Sequence, residues 1–369
     1  MSLDRKEIGR WLRAEDPDAL ENLWRRADEV RRANVGDEVH LRGLIEISNY
    51  CVRHCTYCGL NAANRKLSRY RMKIREILEC ALEARKRGYG TVVLQSGEDY
   101  GITRDRMTEI IRSIKRETGL ALTLSLGERP PADLAAWRAA GADRYLLRFE
   151  TSDRRLYSRI HPPRHHGDSH RIKTLVQLSR LGYEVGSGVM VGIPGQSYES
   201  LSQDLEVFHR LDLDMIGVGP YIPHPDTALA MESAEKPLAD EDQVPNTELL
   251  TYKVIALSRL IRPDANIPST TALAALNREN GRELGLCRGA NVVMPNLTPH
   301  RYRISYEIYP NKACLFDRED AGSDCLRERL SRLGRTIGKG PGARRSPLAE
   351  QDKAKTGNPP AALPVSSVS

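Results

Sequence analysis

Leu41-Arg-Gly-Leu-Ile-Glu-Ile-Ser48-Asn-Tyr-Cys51-Val-Arg-His-Cys55-Thr-Tyr-Cys58 joins a strand-like run to three closely spaced cysteines. Three thiolates at this spacing can hold three irons of a 4Fe–4S cluster. No fourth cysteine is near. One iron therefore keeps an open position for a ligand, by the same logic that separates open catalytic zinc sites from closed structural ones. The alternative is a zinc knuckle completed by His54 or a distant residue. Cys-x3-Cys-x2-Cys fits it poorly, because zinc cysteines usually come as two separated pairs.

Working outward, apolar runs alternate with helical patterns. Strands are expected at 41–48, 91–95, 120–126, 144–150, 185–191, 215–220, 266–270 and 290–294, several of them short and rich in Val, Ile and Leu as buried parallel strands are. Helical spacing appears over 74–87, 201–211 and 247–261. Before the first strand, Asp16 can cap a helix with Pro17 in its first turn, Leu20, Leu23, Trp24, Ala27 and Val30 on one face, and Gly36 as its stop. Eight β-α units predict an α/β fold, a (β/α)8 TIM-type barrel. The expected division is an N-terminal helical segment over 1–39, the barrel over 40–337 and a disordered tail over 338–369, which is rich in Gly, Pro, Ser, Ala and Lys and short of large apolar residues. The acidic stretch 231–245 reads as a surface loop at the barrel mouth.

The chain has 369 residues, a formal charge of +7 and seven cysteines. An odd cysteine count with three clustered does not suit a disulfide framework and fits a reducing cytoplasm. Residues 1–13 lack a signal-peptide core, and no stretch has the roughly 18 apolar residues of a membrane span. In the tail Lys339, Arg344, Arg345, Lys353 and Lys355 outnumber Glu350 and Asp352. No basic stripe with interleaved aromatics is present, so nucleic acid and membrane are not expected partners. An anionic small substrate is compatible with the charge.

The cysteine spacing, with aromatic Tyr57 just before the third thiol, resembles the signature of radical S-adenosylmethionine enzymes. That resemblance implies that S-adenosylmethionine chelates the open iron and is cleaved to a 5′-deoxyadenosyl radical. Gln95-Ser-Gly97-Glu98 partly resembles the superfamily's Gly-Gly-Glu segment, with Ser96 in place of the first glycine; a tight turn is the plainer reading. Gly192-Ile193-Pro-Gly195 resembles its adenine-contacting region. From the residues themselves, alternation puts Thr123 and Ser125 on one side of their strand. Arg148 and Glu150 also share a face, as an inward ion pair or with Glu150 on the cofactor and Arg148 near substrate. Arg171 can fork onto a carboxylate or form a surface salt bridge. Tyr306 and Tyr309 sit at helical spacing and either serve a radical or substrate, or simply pack.

Taken together, Arg69-Tyr-Arg-Met72, Leu94-Gln-Ser-Gly-Glu-Asp99, Thr123-Leu-Ser-Leu-Gly-Glu128, Tyr145-Leu-Leu-Arg148, Pro223-His-Pro-Asp-Thr227 and Ala290-Asn-Val-Val-Met-Pro-Asn296 resemble the HydE family of FeFe-hydrogenase maturases over about 20–335. The resemblance implies one three-cysteine 4Fe–4S cluster on Cys51, Cys55 and Cys58, with S-adenosylmethionine beside it. The cofactor-binding set is then Tyr57, Gln95, Gly97, Glu98, Ser125, Glu150, Arg171, Met190, Gly192 and Ile193. Substrate would meet Thr123, Arg148, Thr270, Thr271, Met294, Tyr306 and Tyr309, with Arg148 and Tyr306 catalytic. The implied substrate is an iron–carbonyl–cyanide–cysteine precursor of the hydrogenase diiron subcluster. The implied partners are the other hydrogenase maturases and a low-potential ferredoxin or flavodoxin. Radical enzymes of small amino acids, methylornithine synthase and biotin synthase, are the alternative, and an iron-fragment carrier without catalysis is a third reading. Many family members hold a second cluster through three C-terminal cysteines. Here Cys314 and Cys325 match two positions and Gly322 the middle one, so one stable cluster is expected. Cys80 and Cys287 read as core thiols.

Overall fold

A computed structural model describes residues 3–163, 170–235, 241–310, 312 and 322–344. It opens with α1 (Arg5–Arg13) and α2 (Pro17–Val35). Asp4 caps α1 reciprocally with Glu7. Asp16 caps α2 by accepting from the Ala19 amide, and Gly36 closes it in a positive-φ conformation that only glycine adopts readily. Both helices fall within the helical segment expected over 1–39; α1 buries Ile8 and Leu12, one turn apart. The two helices join the outer layer of the barrel, α1 against the helix Tyr198–Arg210 and α2 against the helix Glu248–Ile261.

The wall starts at β1 (Glu38–Ser48) and proceeds through α3 (Ile74–Lys86), β2 (Thr91–Ser96), α4 (Arg104–Thr118), β3 (Ala121–Ser125), α5 (Pro131–Ala139) and β4 (Arg144–Leu146). Two helices, α6 (Arg154–Ile160) and α7 (Arg171–Arg180), precede β5 (Glu184–Val191), α8 (Tyr198–Arg210) and β6 (Met215–Pro220). Then follow α9 (Ala228–Glu235), α10 (Glu248–Ile261), α11 (Thr271–Leu276), α12 (Gly281–Cys287), β7 (Val292–Val293), α13 (His300–Arg303), α14 (Gly322–Arg332) and β8 (Thr336–Ile337).

All strand pairs are parallel, in the order β6-β5-β4-β3-β2-β1-β7, with β8 added on β1. Single bridges, Met215 to Asn266 and Pro268 to Val292, carry the wall from β6 to β7. The expected seventh strand is therefore present as a bridging segment rather than a full ladder; Pro268 lacks the amide that a ladder needs. The eight-unit parallel barrel is the architecture that the alternation predicts. The strand expected over 144–150 is shorter, ending at Leu146, with Glu150 bridging Val189 separately.

Three further expectations change. Part of the acidic 231–245 stretch is helical: α9 begins at Ala228 and its Leu229 is buried. Tyr306 and Tyr309 lie in turns after α13, not on one helix. Cys287 ends α12 exposed to solvent rather than in the core, whereas Cys80 is buried.

The tail boundary also moves. Residues 338–344 cross the N-terminal end of the barrel and floor it. The Pro341 carbonyl accepts from Thr91 Oγ1 (2.8 Å) and Arg144 Nη2 (3.0 Å). The Gly342 carbonyl accepts from Arg42 Nη2 and Asn266 Nδ2, both at 3.1 Å. Arg344 binds Asp212, Asp214 and Asp264 outside. A Cβ at Gly90 would collide with the Gly340 carbonyl, so this approach requires glycine there. Residues 345–369 lie outside the described residues.

Candidate active site

The cysteines occupy the opposite, C-terminal end of the strands, where barrel chemistry is sited. Cys51, Cys55 and Cys58 are free thiols. The amides of Arg53 (3.5 Å) and Glu98 (3.4 Å) both donate to Cys51 Sγ, as a thiolate ligand requires. Burial pushes all three thiols above their ordinary range, so metal binding must displace protons. Among the described residues no three His, Cys, Asp or Glu side chains converge on a single ion.

The loop is held by Arg69, whose guanidinium reaches the carbonyls of Asn49, Leu60, Asn61 and Asn64. Gly97 lets β2 approach it. A Cβ there would lie 2.3 Å from the Tyr50 carbonyl and 2.8 Å from Cys51 Cβ. Glu98 is buried and its carboxylate turns away, Oε2 accepting from the Glu128 amide at 3.0 Å. What Glu98 presents to the cysteines is its amide.

Tyr57, Met190 and Ile193 come together in a small apolar cluster with Leu156, Ile160, Tyr221 and Leu229, separate from the main core. Tyr57 OH pairs with His161 Nε2 at 3.0 Å. Burial, reinforced by Arg171 and Arg53, pushes His161 well below its ordinary pKa, so it is neutral. Gly192 adopts φ +80, and its amide donates to Gln196 Oε1 (2.7 Å), which fixes the turn after β5.

Glu150 lies at the exit of β4 in a positive-φ conformation (φ 66) that costs a non-glycine residue free energy. Arg148 Nη2 sits 2.8 Å from Glu150 Oε2, so the inward pair is formed. Arg171, the first residue of α7, donates Nη1 to the Arg148 carbonyl (2.6 Å), with Nε 3.5 Å from Glu128. It is buried and is not a surface salt bridge.

Deeper in, Gln95 and Ser125 are register partners on β2 and β3, and Gln95 Nε2 donates to Tyr306 OH at 3.2 Å. Tyr306 is buried. Tyr309 OH pairs with Thr271 Oγ1 at 3.1 Å. A Cβ at Gly219 would sit in ordinary contact with Ala272 Cβ (3.5 Å), Thr270 Oγ1 (3.7 Å) and Arg148 Nη1 (3.9 Å), so Gly219 lies beside the Arg148 and Thr270 side chains. Met294, half-buried, follows β7. Thr123 Oγ1, Arg148 Nε and Thr270 Oγ1 are buried without hydrogen-bond partners, whereas Glu150 Oε2 is paired with Arg148. Buried polar atoms normally find partners, so these three mark where a ligand's polar groups belong.

Three contributors escape a reading of the sequence. Lys312 forms a buried ion pair with Glu46 and donates to the Tyr306 carbonyl (3.1 Å); no local pattern signals a pair so far apart in the chain. His161 sits past a short helix in an unremarked loop. Gly219 lies against Thr270 and Arg148, a juxtaposition that a strand pattern does not show. On β5 a Cβ at Gly188 would strike the Gly217 carbonyl, so Gly188 serves strand-to-strand packing. Cys314 and the Cys325 side chain lie outside the described residues, and with them the question of a second cluster.

Comparison with known proteins agrees with this geometry. Residues 45–208 match the Radical SAM superfamily. The chain is 44% identical over 348 residues to the "[FeFe] hydrogenase maturase subunit HydE" of Thermotoga maritima, covering 93% of this chain and 96% of that one. It is 31% identical to the 3-methylornithine synthase of Methanosarcina acetivorans, over 76% of each chain. Among solved structures, that of methylornithine synthase (PylB) superposes with a TM-score of 0.76 at 26% identity, covering 92% of this chain and 95% of that chain. A parallel barrel with a three-cysteine loop at its C-terminal mouth thus defines a radical S-adenosylmethionine enzyme, a class that carries a 4Fe–4S cluster. Within that class the chain belongs to the HydE family of [FeFe]-hydrogenase maturases.

Proposed function

We propose that this HydE-family maturase holds one 4Fe–4S cluster through Cys51, Cys55 and Cys58 and acts in the cytoplasm on an iron–carbonyl–cyanide–cysteine precursor of the hydrogenase diiron subcluster. The cluster and S-adenosylmethionine, when bound, supply reductive cleavage of the sulfonium to methionine and a 5′-deoxyadenosyl radical. The chain's own residues bind, orient and exclude water. Tyr57, Met190, Gly192 and Ile193 offer an apolar bed for the adenosyl group. The Glu150 carboxylate takes the cofactor's ammonium or ribose, with Arg171 beside it, and Gly97, the Glu98 amide, Gln95 and Ser125 complete the cradle. Arg148 holds the substrate's carboxylate through charge-assisted hydrogen bonds, with Thr123, Thr270, Thr271, Met294 and Tyr309 around it. Tyr306, fixed by Gln95 and Lys312, stands at the reacting end.

One observation carries this reading: three buried polar atoms, on Thr123, Arg148 and Thr270, lack partners inside the protein. They are two hydroxyls and a guanidinium nitrogen, the complement of a small ligand that carries a carboxylate. Arg148→Ala tests it. The variant should release 5′-deoxyadenosine within a few-fold of the native rate while substrate conversion falls on the order of 100-fold. Unimpaired conversion would remove Arg148 from the substrate site. The similarity to 3-methylornithine synthase favours a second reading, radical rearrangement of a small amino acid. Turnover of a free amino acid in place of the iron precursor would establish it.

A further inference from the structure

We propose that Asp204 of α8 is a positioning residue for cofactor binding, acting by locking the turn that carries the Glu150 carboxylate into the site. The inference rests on the reading of Glu150 as a ligand of S-adenosylmethionine and adds what holds it there. Between β4 and α6 the wall turns abruptly. The Thr151 amide donates to the Phe149 carbonyl, two residues back, at 2.9 Å, with Glu150 at φ 66 between them. A hydrogen bond closed across one residue at positive φ is the rare, strained form of the γ-turn. Glycine would adopt it freely but brings no carboxylate. Glu150 nonetheless stays in the wall. Its amide donates to the Gly188 carbonyl (3.1 Å), and its carbonyl accepts from the amide of Met190 (3.3 Å), a member of the apolar cluster around Tyr57. Its side chain meets Arg148 at 2.8 Å. The turn thus sets Glu150 beside both the apolar bed and Arg148.

A strained residue persists only where its surroundings over-determine it. Here α8 supplies them from two positions one turn apart. Phe208 is fully buried and packs on Phe149, with ring centres 5.9 Å apart. Asp204 is fully buried, and its Oδ1 accepts from the Ser152 amide, from Ser152 Oγ (2.6 Å) and from Thr151 Oγ1 (3.3 Å). Thr151 Oγ1 accepts in turn from the amide of Asp153 (3.2 Å), the residue that caps α6. A ring therefore grips the residue before Glu150, and a carboxylate grips the two after it. Burying a carboxylate costs far more than burying a neutral side chain, and the donors that Asp204 collects all lie on those two residues. Asp204 reaches the site only through this turn. Without it, Thr151 and Ser152 lose their shared anchor, the turn relaxes toward negative φ, and the Glu150 carboxylate leaves its place beside Arg148.

The test measures the dissociation constant of S-adenosylmethionine by equilibrium dialysis against the anaerobically reconstituted, unreduced protein, in which no cleavage occurs. Asp204→Ala should raise it roughly tenfold, Glu150→Ala at least as much, and the double variant no more than Glu150→Ala alone, because one residue acts through the other. Asp204→Asn keeps the accepting Oδ1 and should stay within a few-fold of native. Melting temperature and iron content establish that each variant is folded and loaded. Should Asp204→Ala fail to fold, Ser152→Ala replaces it in the cycle, removing one donor while leaving the buried carboxylate, and the same pattern is expected at smaller amplitude. A native dissociation constant in the folded variant, or losses that simply add in the double variant, would overturn the proposal. A native dissociation constant in Glu150→Ala would instead overturn the reading of Glu150 as a cofactor ligand.

Discussion

At the scale of single residues, the exit of β4 concentrates the site's strain. Glu150 is held at positive φ, and the next two residues are tied to a buried carboxylate on α8. Asp204 Oδ1 accepts from Ser152 Oγ at 2.6 Å and from Thr151 Oγ1 at 3.3 Å, while Oδ2 is buried without a partner. Burial raises the Asp204 carboxyl to about 7, against hydrogen bonds from Ser152 that lower it. An acid raised on folding binds a proton in the folded state that the unfolded state has lost. Its contribution to stability therefore falls as pH rises from the ordinary carboxylate range to about 7, and levels off above. Asp204→Asn should cost stability at pH 5 and cost less, or gain, at pH 8. Melting temperatures of the two proteins across that range check the sign, and a difference independent of pH would refute it.

At the scale of elements, the floor is the least expected piece of structure. Composition alone marks everything after Gly338 as unable to bury much apolar surface, and that reasoning fails for 338–344 because the floor is built from main-chain carbonyls. They satisfy arginines at the base of the barrel. Arg42 is buried, and burial lowers it to about 9, with neighbouring Arg144 adding repulsion. Removing a partner from a buried charge costs on the order of 3–5 kcal/mol. A chain ending at Ile337 should therefore melt well below one ending at Arg344, which keeps the floor. Equal melting temperatures would show that the segment contributes nothing to stability.

At the scale of the whole molecule, what the sequence makes legible is what repeats or clusters locally. Strand–helix alternation reveals the barrel because each unit carries its own apolar pattern, and β1, β2, β3, β5 and β6 fall within a few residues of expectation. Three thiols within eight residues reveal the loop because ligation geometry constrains spacing. The seventh strand is blurred because two isolated bridges, one of them at a proline, leave little pattern. The Glu46–Lys312 pair, the His161–Tyr57 contact and the approach of Gly219 to Thr270 and Arg148 are products of tertiary closure, and nothing local encodes them. Arg171 has two plausible fates as a sequence; only its burial against Glu128 and the Arg148 carbonyl decides between them.

The central proposal is a cluster on Cys51, Cys55 and Cys58 with one iron position left open for S-adenosylmethionine. The direct measurement is electron paramagnetic resonance of the anaerobically reconstituted, reduced protein with and without S-adenosylmethionine. The account predicts a 4Fe–4S signal that shifts when the sulfonium is added and disappears in Cys51→Ala, Cys55→Ala or Cys58→Ala. A signal indifferent to S-adenosylmethionine, or a protein that retains zinc and no cluster, would contradict it.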